Sequence, residues 1–104
     1  MLVTIYQGDQ YNIPIEIARS GEKQGAETVN KLEVIFAGLR KEYPGDVTVT
    51  GEDFFFPLSQ EETLALARGN YDLSVRIRFS DETVVGWLSA GNVNVREIKG
   101  AEVL

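Results

Sequence analysis

The stretch that decides the fold runs from residue 71 to residue 80 and reads Tyr71-Asp72-Leu73-Ser74-Val75-Arg76-Ile77-Arg78-Phe79-Ser80. Its odd-numbered positions are all apolar, and its even-numbered positions are all polar or charged. Because successive side chains of a β-strand point to opposite faces, this period of two predicts a strand with one buried and one solvated face. A sheet that is wet on one side is typical of antiparallel β-architecture.

Other short segments with strand character flank this stretch, at intervals of roughly ten residues that are typical of a sandwich or barrel. Segment 29–39 also admits a helix in part, but its Val, Ile and Phe content favours a strand. Pro14 cannot donate to a strand ladder, which predicts that its strand lies at a sheet edge or that the backbone nitrogen at this position faces outward. Turn signals at residues 43–46 and 90–92 end two of the segments. The predicted strands lie within residues 2–6, 11–17, 29–39, 47–50, 53–56, 71–79, 84–89 and 93–95.

One segment has helical signals instead. Ser59-Gln60-Glu61-Glu62 has the spacing of a capping box, with Ser59 as the N-cap and Glu62 at the third helical position. Gly69-Asn70 supplies a C-terminal stop. We therefore expect one short helix near residues 59–67 in a single all-β domain that spans residues 1–104.

The composition disfavours several classes of catalytic and metal-binding site. The chain has 104 residues, a net charge of -6 and neither His nor Cys. The missing residue types remove thiol nucleophiles, the Ser–His pair and the usual transition-metal ligands. Scattered acids show neither a matched catalytic pair in a pocket nor the spacing of a calcium loop. The sequence thus predicts no enzyme, no metal and no cofactor.

The charge and hydropathy of the chain also disfavour two classes of partner, nucleic acid and membrane. An acidic balance disfavours nucleic acid, because phosphate binding needs clustered Lys and Arg. No stretch approaches the ~20 apolar residues of a membrane span. The first residues lack the basic and apolar regions of a signal peptide. We expect a protein that is made in the cytosol and that contacts neither nucleic acid nor membrane.

Two basic residues, Arg76 and Arg78, share the polar face of the decisive strand. Their guanidinium groups have the chemistry to hold a carboxylate on another protein. The alternative is that both pair with acids on neighbouring strands, a common way to stabilise a sheet. The sequence leaves both interpretations open.

Aromatic residues supply the other candidates. Phe54-Phe55-Phe56 cannot all face one way in a strand, so Phe55 either marks an interface or is covered by the helix or by loops. Alternation with Val85 favours a core position for Trp87. Exposed Tyr43, Phe55 or Trp87 would suit a module that stacks on sugar or fills a pocket of a protein partner.

Several segments together resemble the N-terminal immunoglobulin-like domain of phage baseplate upper proteins. The segments are Gln7-Gly8-Asp9, the alternating run 12–17, the turn 58–63 and the run from Gly69 through Tyr71 to Ile77. The resemblance implies an immunoglobulin-like antiparallel β-sandwich of about seven or eight strands. In such folds a tyrosine at the position of Tyr71 often bonds to backbone upstream, although plain packing is an equal interpretation here.

The resemblance also implies a function: a non-catalytic structural or assembly protein of a phage or prophage particle, in the tail, baseplate or connector. Its partners would be other phage structural proteins or further copies of itself. It would reside in the host cytoplasm during assembly and then in the virion. The alternative is a stand-alone β-sandwich module that recognises carbohydrate or protein.

Overall fold

A computed structural model describes residues 2–100 and 102–104 of the chain, with the side chains of all of them except Leu2, Trp87 and Leu88. These residues form ten strands and one short helix, most of the strands alternating in burial as the sequence pattern predicts. The elements in chain order are β1 Leu2–Tyr6, β2 Tyr11–Ile15, β3 Ala18–Arg19, β4 Glu22–Lys23, β5 Val29–Phe36, β6 Leu39–Tyr43, β7 Thr48–Thr50, β8 Asp53–Leu58, α1 Gln60–Leu64, β9 Gly69–Phe79 and β10 Val84–Arg96.

Eight of the strands form two sheets. The larger sheet has the order β1-β10-β9-β5-β6, and the smaller has the order β2-β8-β7. The two-residue strands β3 and β4 pair only with each other. Strand β2 lies at a sheet edge, which confirms the prediction made from Pro14. One pair departs from the predicted antiparallel pattern, because β1 runs parallel to β10.

The two sheets bury their apolar faces against each other. The inward side chains of β9, Leu73, Val75, Ile77 and Phe79, are all buried, as the alternation predicts. They belong to one cluster with the inward residues of β1, β2, β5, β8 and β10. Across the sheets, the rings of Phe36 and Phe56 meet edge to face at 5.9 Å between centroids.

The strand order is that of an immunoglobulin-like sandwich. In that fold a sheet with the order G-F-C, extended by C′ in variable-type domains, packs on a sheet that contains B, E and D. Strands β10-β9-β5-β6 match G-F-C-C′, and β2-β8-β7 match B-E-D. The predicted fold class is therefore confirmed: an all-β immunoglobulin-like sandwich with one short helix.

Tyr71 lies near the start of β9, just after the corner that joins α1 to this strand. Its hydroxyl donates a hydrogen bond of 2.8 Å to the carbonyl oxygen of Ala67, four residues upstream. Its ring also meets that of Phe36 edge to face at 5.7 Å. Both interpretations of this residue therefore hold, since it bonds to upstream backbone and packs on the core. The bond is that of the tyrosine corner of immunoglobulin-like folds.

Replacing Tyr71 with Phe removes that bond and keeps the ring. We expect Y71F to lower the free energy of unfolding by about 1 kcal/mol, the net worth of a typical intramolecular hydrogen bond. Chemical denaturation monitored by circular dichroism measures the change. Tyr6, on β1 and 42% exposed, supplies the matched control, and Y6F should be nearly neutral. Equal losses in the two variants would show that the corner bond stabilises nothing.

The helix forms where the capping box predicts it. The backbone N–H of Glu62 donates to Ser59 Oγ, and the Glu62 carboxylate accepts from the backbone N–H of Ser59. Its regular part ends at Leu64, short of the predicted residue 67, with Ala65 as the C-cap.

Two predicted boundaries are wrong. Segment 29–39 turns back at Ala37-Gly38, where φ is 49° and 83°, and residues 39–43 form β6 instead of leading into a turn. Positive φ at two central residues is the geometry of a two-residue hairpin turn, and Ala rarely adopts it. Residues 90–92 do not end a strand, because β10 continues through them with shifts of register against β9.

A half-buried ion pair links β6 to α1. Lys41 of β6 reaches across to α1, where its Nζ lies 3.0 Å from Glu62 Oε1. The same ammonium group donates to the carbonyl oxygen of Pro57 and lies 5.1 Å from the centroid of the Phe56 ring. Burial alone would raise the pKa of Glu62, but the hydrogen bonds from Ser59 and Lys41 outweigh it and lower that pKa.

The Glu62 contacts predict a pH dependence. A carboxyl whose pKa is lower in the folded state stabilises the protein above its unfolded pKa, and that contribution is lost as pH falls through the folded pKa. We expect E62Q to cost about 1 kcal/mol at pH 7 and progressively less below the ordinary value of 4.5. Urea unfolding of wild type and E62Q at pH 7 and pH 3 measures this. E61Q, on an exposed side chain of the same turn, should show a much smaller difference; a cost of E62Q that does not change with pH would contradict the account.

Candidate interaction surfaces

Arg76 and Arg78 lie on the outer face of the larger sheet, near its centre. Their strand, β9, has β10 on one side and β5 on the other, and its inward residues fill the core. Because the alternation fixes the inward set, both arginines point to solvent, and both are exposed.

The register of β5 against β9 decides what faces these arginines. Glu33 pairs with Arg76, and Lys31 pairs with Arg78. On the other side, Val84 of β10 pairs with Arg78. Like charges directly opposite one another in a sheet destabilise it, so the pairing of Lys31 with Arg78 carries a cost.

The acid nearest to the arginines has another partner. Glu33 Oε2 lies 2.7 Å from Nη2 of Arg40 on β6, the strand on the far side of β5. Across residues 2–100 and 102–104, neither Lys31, Arg76 nor Arg78 has a carboxylate within ion-pair distance. We call these three residues the cationic triplet.

The cationic triplet borders a shallow depression of about 200 Å³. Glu33, Ile77 and Val84 complete its lining. Val84 is 54% exposed and adds an apolar edge. Two guanidinium forks and an ammonium group around a small hollow have the geometry to hold one or two carboxylates, with an apolar group beside them.

Phe55 occupies a second concave surface. Phe54 and Phe56 point into the core, and Phe55 is partly buried on the opposite face of β8. It lines a groove of about 810 Å³. Residues 14–18, at the end of β2 and just after it, and residues 89–92 of β10 also line this groove. An ion pair between Lys23 and Asp53 lies at the border of this groove.

Tyr43, the remaining aromatic candidate, packs against the core. It is partly buried at the end of β6, and its ring meets that of Phe54 edge to face at 5.1 Å. The prediction for the Trp87 side chain lies outside the described residues.

Sequence reasoning named two members of the cationic triplet and missed Lys31. Alternation along residues 29–36 placed Lys31 and Glu33 on one face of a strand, so part of the signal was present. The missing part was the register, since no local pattern tells which residue of β5 stands opposite Arg78.

Comparison with protein-family models, curated proteins and solved structures finds no match to this chain. None of the helical residues in the described part of the chain forms a helix long and apolar enough to cross a membrane.

Proposed function

We propose that this chain is a non-catalytic immunoglobulin-like module that acts by binding another protein, as a structural or assembly component of a phage or prophage particle. The observation that carries the binding role is the cationic triplet, three cations without acidic partners on the outer face of the adjacent strands β5 and β9. The particle role is supported by the resemblance of segments 7–9, 12–17, 58–63 and 69–77 to baseplate proteins, together with the sandwich fold that this resemblance implies.

The cationic triplet supports binding because it is poorly explained by folding. The chain carries 16 acids and 10 bases, so acidic partners are abundant in its composition. Arg19, Lys23, Arg40 and Lys41 each lie in an ion pair, whereas Arg68 and Arg96, like the triplet, lie outside the ion pairs of the described residues. Lys31 and Arg78 instead stand opposite each other, an arrangement that stability alone does not favour. Residues that lower stability are common at sites that serve function.

The particle role is tested by asking where the protein ends up. Particles are induced from cells that carry the gene, purified on a density gradient and analysed by quantitative mass spectrometry. We expect the chain in the particle fraction at a fixed ratio to the other particle proteins. The samples are taken after particles have assembled in the cytoplasm and virions have formed. Recovery of the chain only from the soluble fraction of lysed cells would then overturn the particle role.

A stand-alone binding module is the second candidate, and the groove beside Phe55 favours it. An aromatic ring in the wall of a concave surface is the usual anchor of a sugar or of a partner side chain. Glycan-array binding that F55A abolishes would support this function. F55A must also fold as wild type does, so that lost binding reports on the ring. If the wild-type protein binds no glycan on the array, the groove has no carbohydrate role.

A further inference from the structure

We propose that the cationic triplet docks an acidic, extended segment of a partner protein; this rests on the proposed function and adds the surface and the chemistry of the partner. Arg76 and Arg78 are two residues apart on one face of β9, which places them about 6.7 Å apart along the strand. Acidic side chains at alternate positions of an extended segment have the same spacing. Such a segment can therefore meet both guanidinium groups without bending.

Lys31 extends this surface sideways. Directly opposed residues in an antiparallel pair have Cβ atoms about 5 Å apart, so Lys31 and Arg78 can hold the same carboxylate from two sides. A bound carboxylate also removes the repulsion between these two cations. Glu33, the acid in this lining, lies within ion-pair distance of Arg40, so a partner can supply the carboxylates that the cationic triplet lacks.

The surroundings favour a short protein segment over a polyphosphate. The protein has a net charge of -6, which repels a long polyanion from everything outside the small hollow. Glu33 lines the same depression, and Val84 offers apolar contact at its edge. A segment that mixes carboxylates with an apolar side chain matches this lining.

The stability of variants separates binding from folding. R76Q/R78Q should unfold at or slightly above the wild-type temperature, because it removes the cation opposite Lys31 and breaks no ion pair. R68Q/R96Q is the matched control. It changes the net charge equally, at exposed arginines that are also outside the ion pairs of the described residues.

The binding experiment uses a defined probe. The peptide acetyl-Glu-Ser-Glu-Ser-Val-amide, which places both Glu residues and the Val on one face when extended, is titrated into ¹⁵N-labelled protein at low salt and followed by NMR. We expect shifts centred on Lys31, Arg76, Arg78 and Val84. Affinity should fall about tenfold or more in R76Q/R78Q, since two charge-assisted contacts are lost, and change less than about twofold in R68Q/R96Q. The same peptide with Gln in place of Glu should cause no such shifts.

Three results of the binding experiment would overturn the proposal. They are shifts that lie elsewhere or are absent at saturating peptide, equal loss of affinity in both double variants, and tighter binding of a single-stranded oligonucleotide of equal charge at the same residues. A strong fall in the melting temperature of R76Q/R78Q would assign the arginines to folding and overturn it as well. None of these results bears on recovery of the wild-type protein from particles, so this inference and the proposed particle role fail separately.

Discussion

Phe56→Ala is expected to destabilise the protein by about 3–5 kcal/mol, the usual cost of removing a buried phenyl ring from a core. Phe56 is fully buried in β8. Its ring meets Phe36 of the opposite sheet at 5.9 Å, and the ammonium group of Lys41 lies 5.1 Å from its centroid. The substitution therefore opens a cavity between the sheets and also removes a cation–π contact.

The neighbouring residue makes this prediction sharp. Phe55→Ala removes the same atoms from the opposite face of the strand, where the ring is partly buried, and should cost less than half as much. Denaturant unfolding of both variants measures the difference. Phe56→Leu, which keeps most of the apolar volume, provides a folded comparison if F56A has too little stability to study. A loss for F55A as large as that for F56A would contradict the difference in burial between the two rings.

Thr63→Val is expected to cost about 1–3 kcal/mol although it hardly changes the volume of the side chain. Thr63 is completely buried in α1. Its hydroxyl accepts a 3.0 Å hydrogen bond from the backbone N–H of Gly8 and donates to the carbonyl oxygen of Asp9 at 2.8 Å. One hydroxyl thus fastens the helix to the turn between β1 and β2. Valine leaves both backbone groups without this partner.

Thr63→Ser is the control, because it keeps the hydroxyl and loses only a methyl group. We expect T63S to retain much more stability than T63V in thermal unfolding. Hydrogen exchange at the Gly8 amide supplies a local readout, and exchange should speed up in T63V but not in T63S. If T63V and wild type unfold alike and protect Gly8 alike, the hydroxyl does not hold the helix in place.

The parts of the fold that could be predicted from sequence are those written in local patterns. Alternation over 71–79 assigned both faces of β9, because a two-residue period has one physical interpretation in a chain with this composition. The capping box at 59–62 placed the helix, since its two hydrogen bonds join residues three apart. Pro14 placed β2 at an edge, because a residue without an N–H cannot donate to a ladder.

The parts that could not be predicted depend on distant residues or on unusual backbone. β1 lies parallel to β10, and no local pattern in either segment indicates this pairing between distant parts of the chain. The hairpin at Ala37-Gly38 uses positive φ at an alanine, which turn rules do not anticipate. β10 continues past Gly91 with a shift of register, although glycine and asparagine there resemble a break.

The candidate site was also predictable only in part. Arg76 and Arg78 were named from the strand pattern alone. Whether they bind acids within the sheet depended on Glu33, and its carboxylate lies beside Arg40 because β6 is the next strand along the sheet. The position of Arg40 beside Glu33 depends on the hairpin at Ala37-Gly38. Because the sequence pattern did not predict that hairpin, it did not predict this ion pair.

We propose that this protein binds a partner through the cationic triplet during particle assembly. The most direct measurement is the amount of wild type, R76Q/R78Q and R68Q/R96Q recovered in purified particles from cells that express each at equal level. The account predicts that R76Q/R78Q is depleted severalfold while R68Q/R96Q matches wild type. Equal incorporation of all three proteins would contradict it.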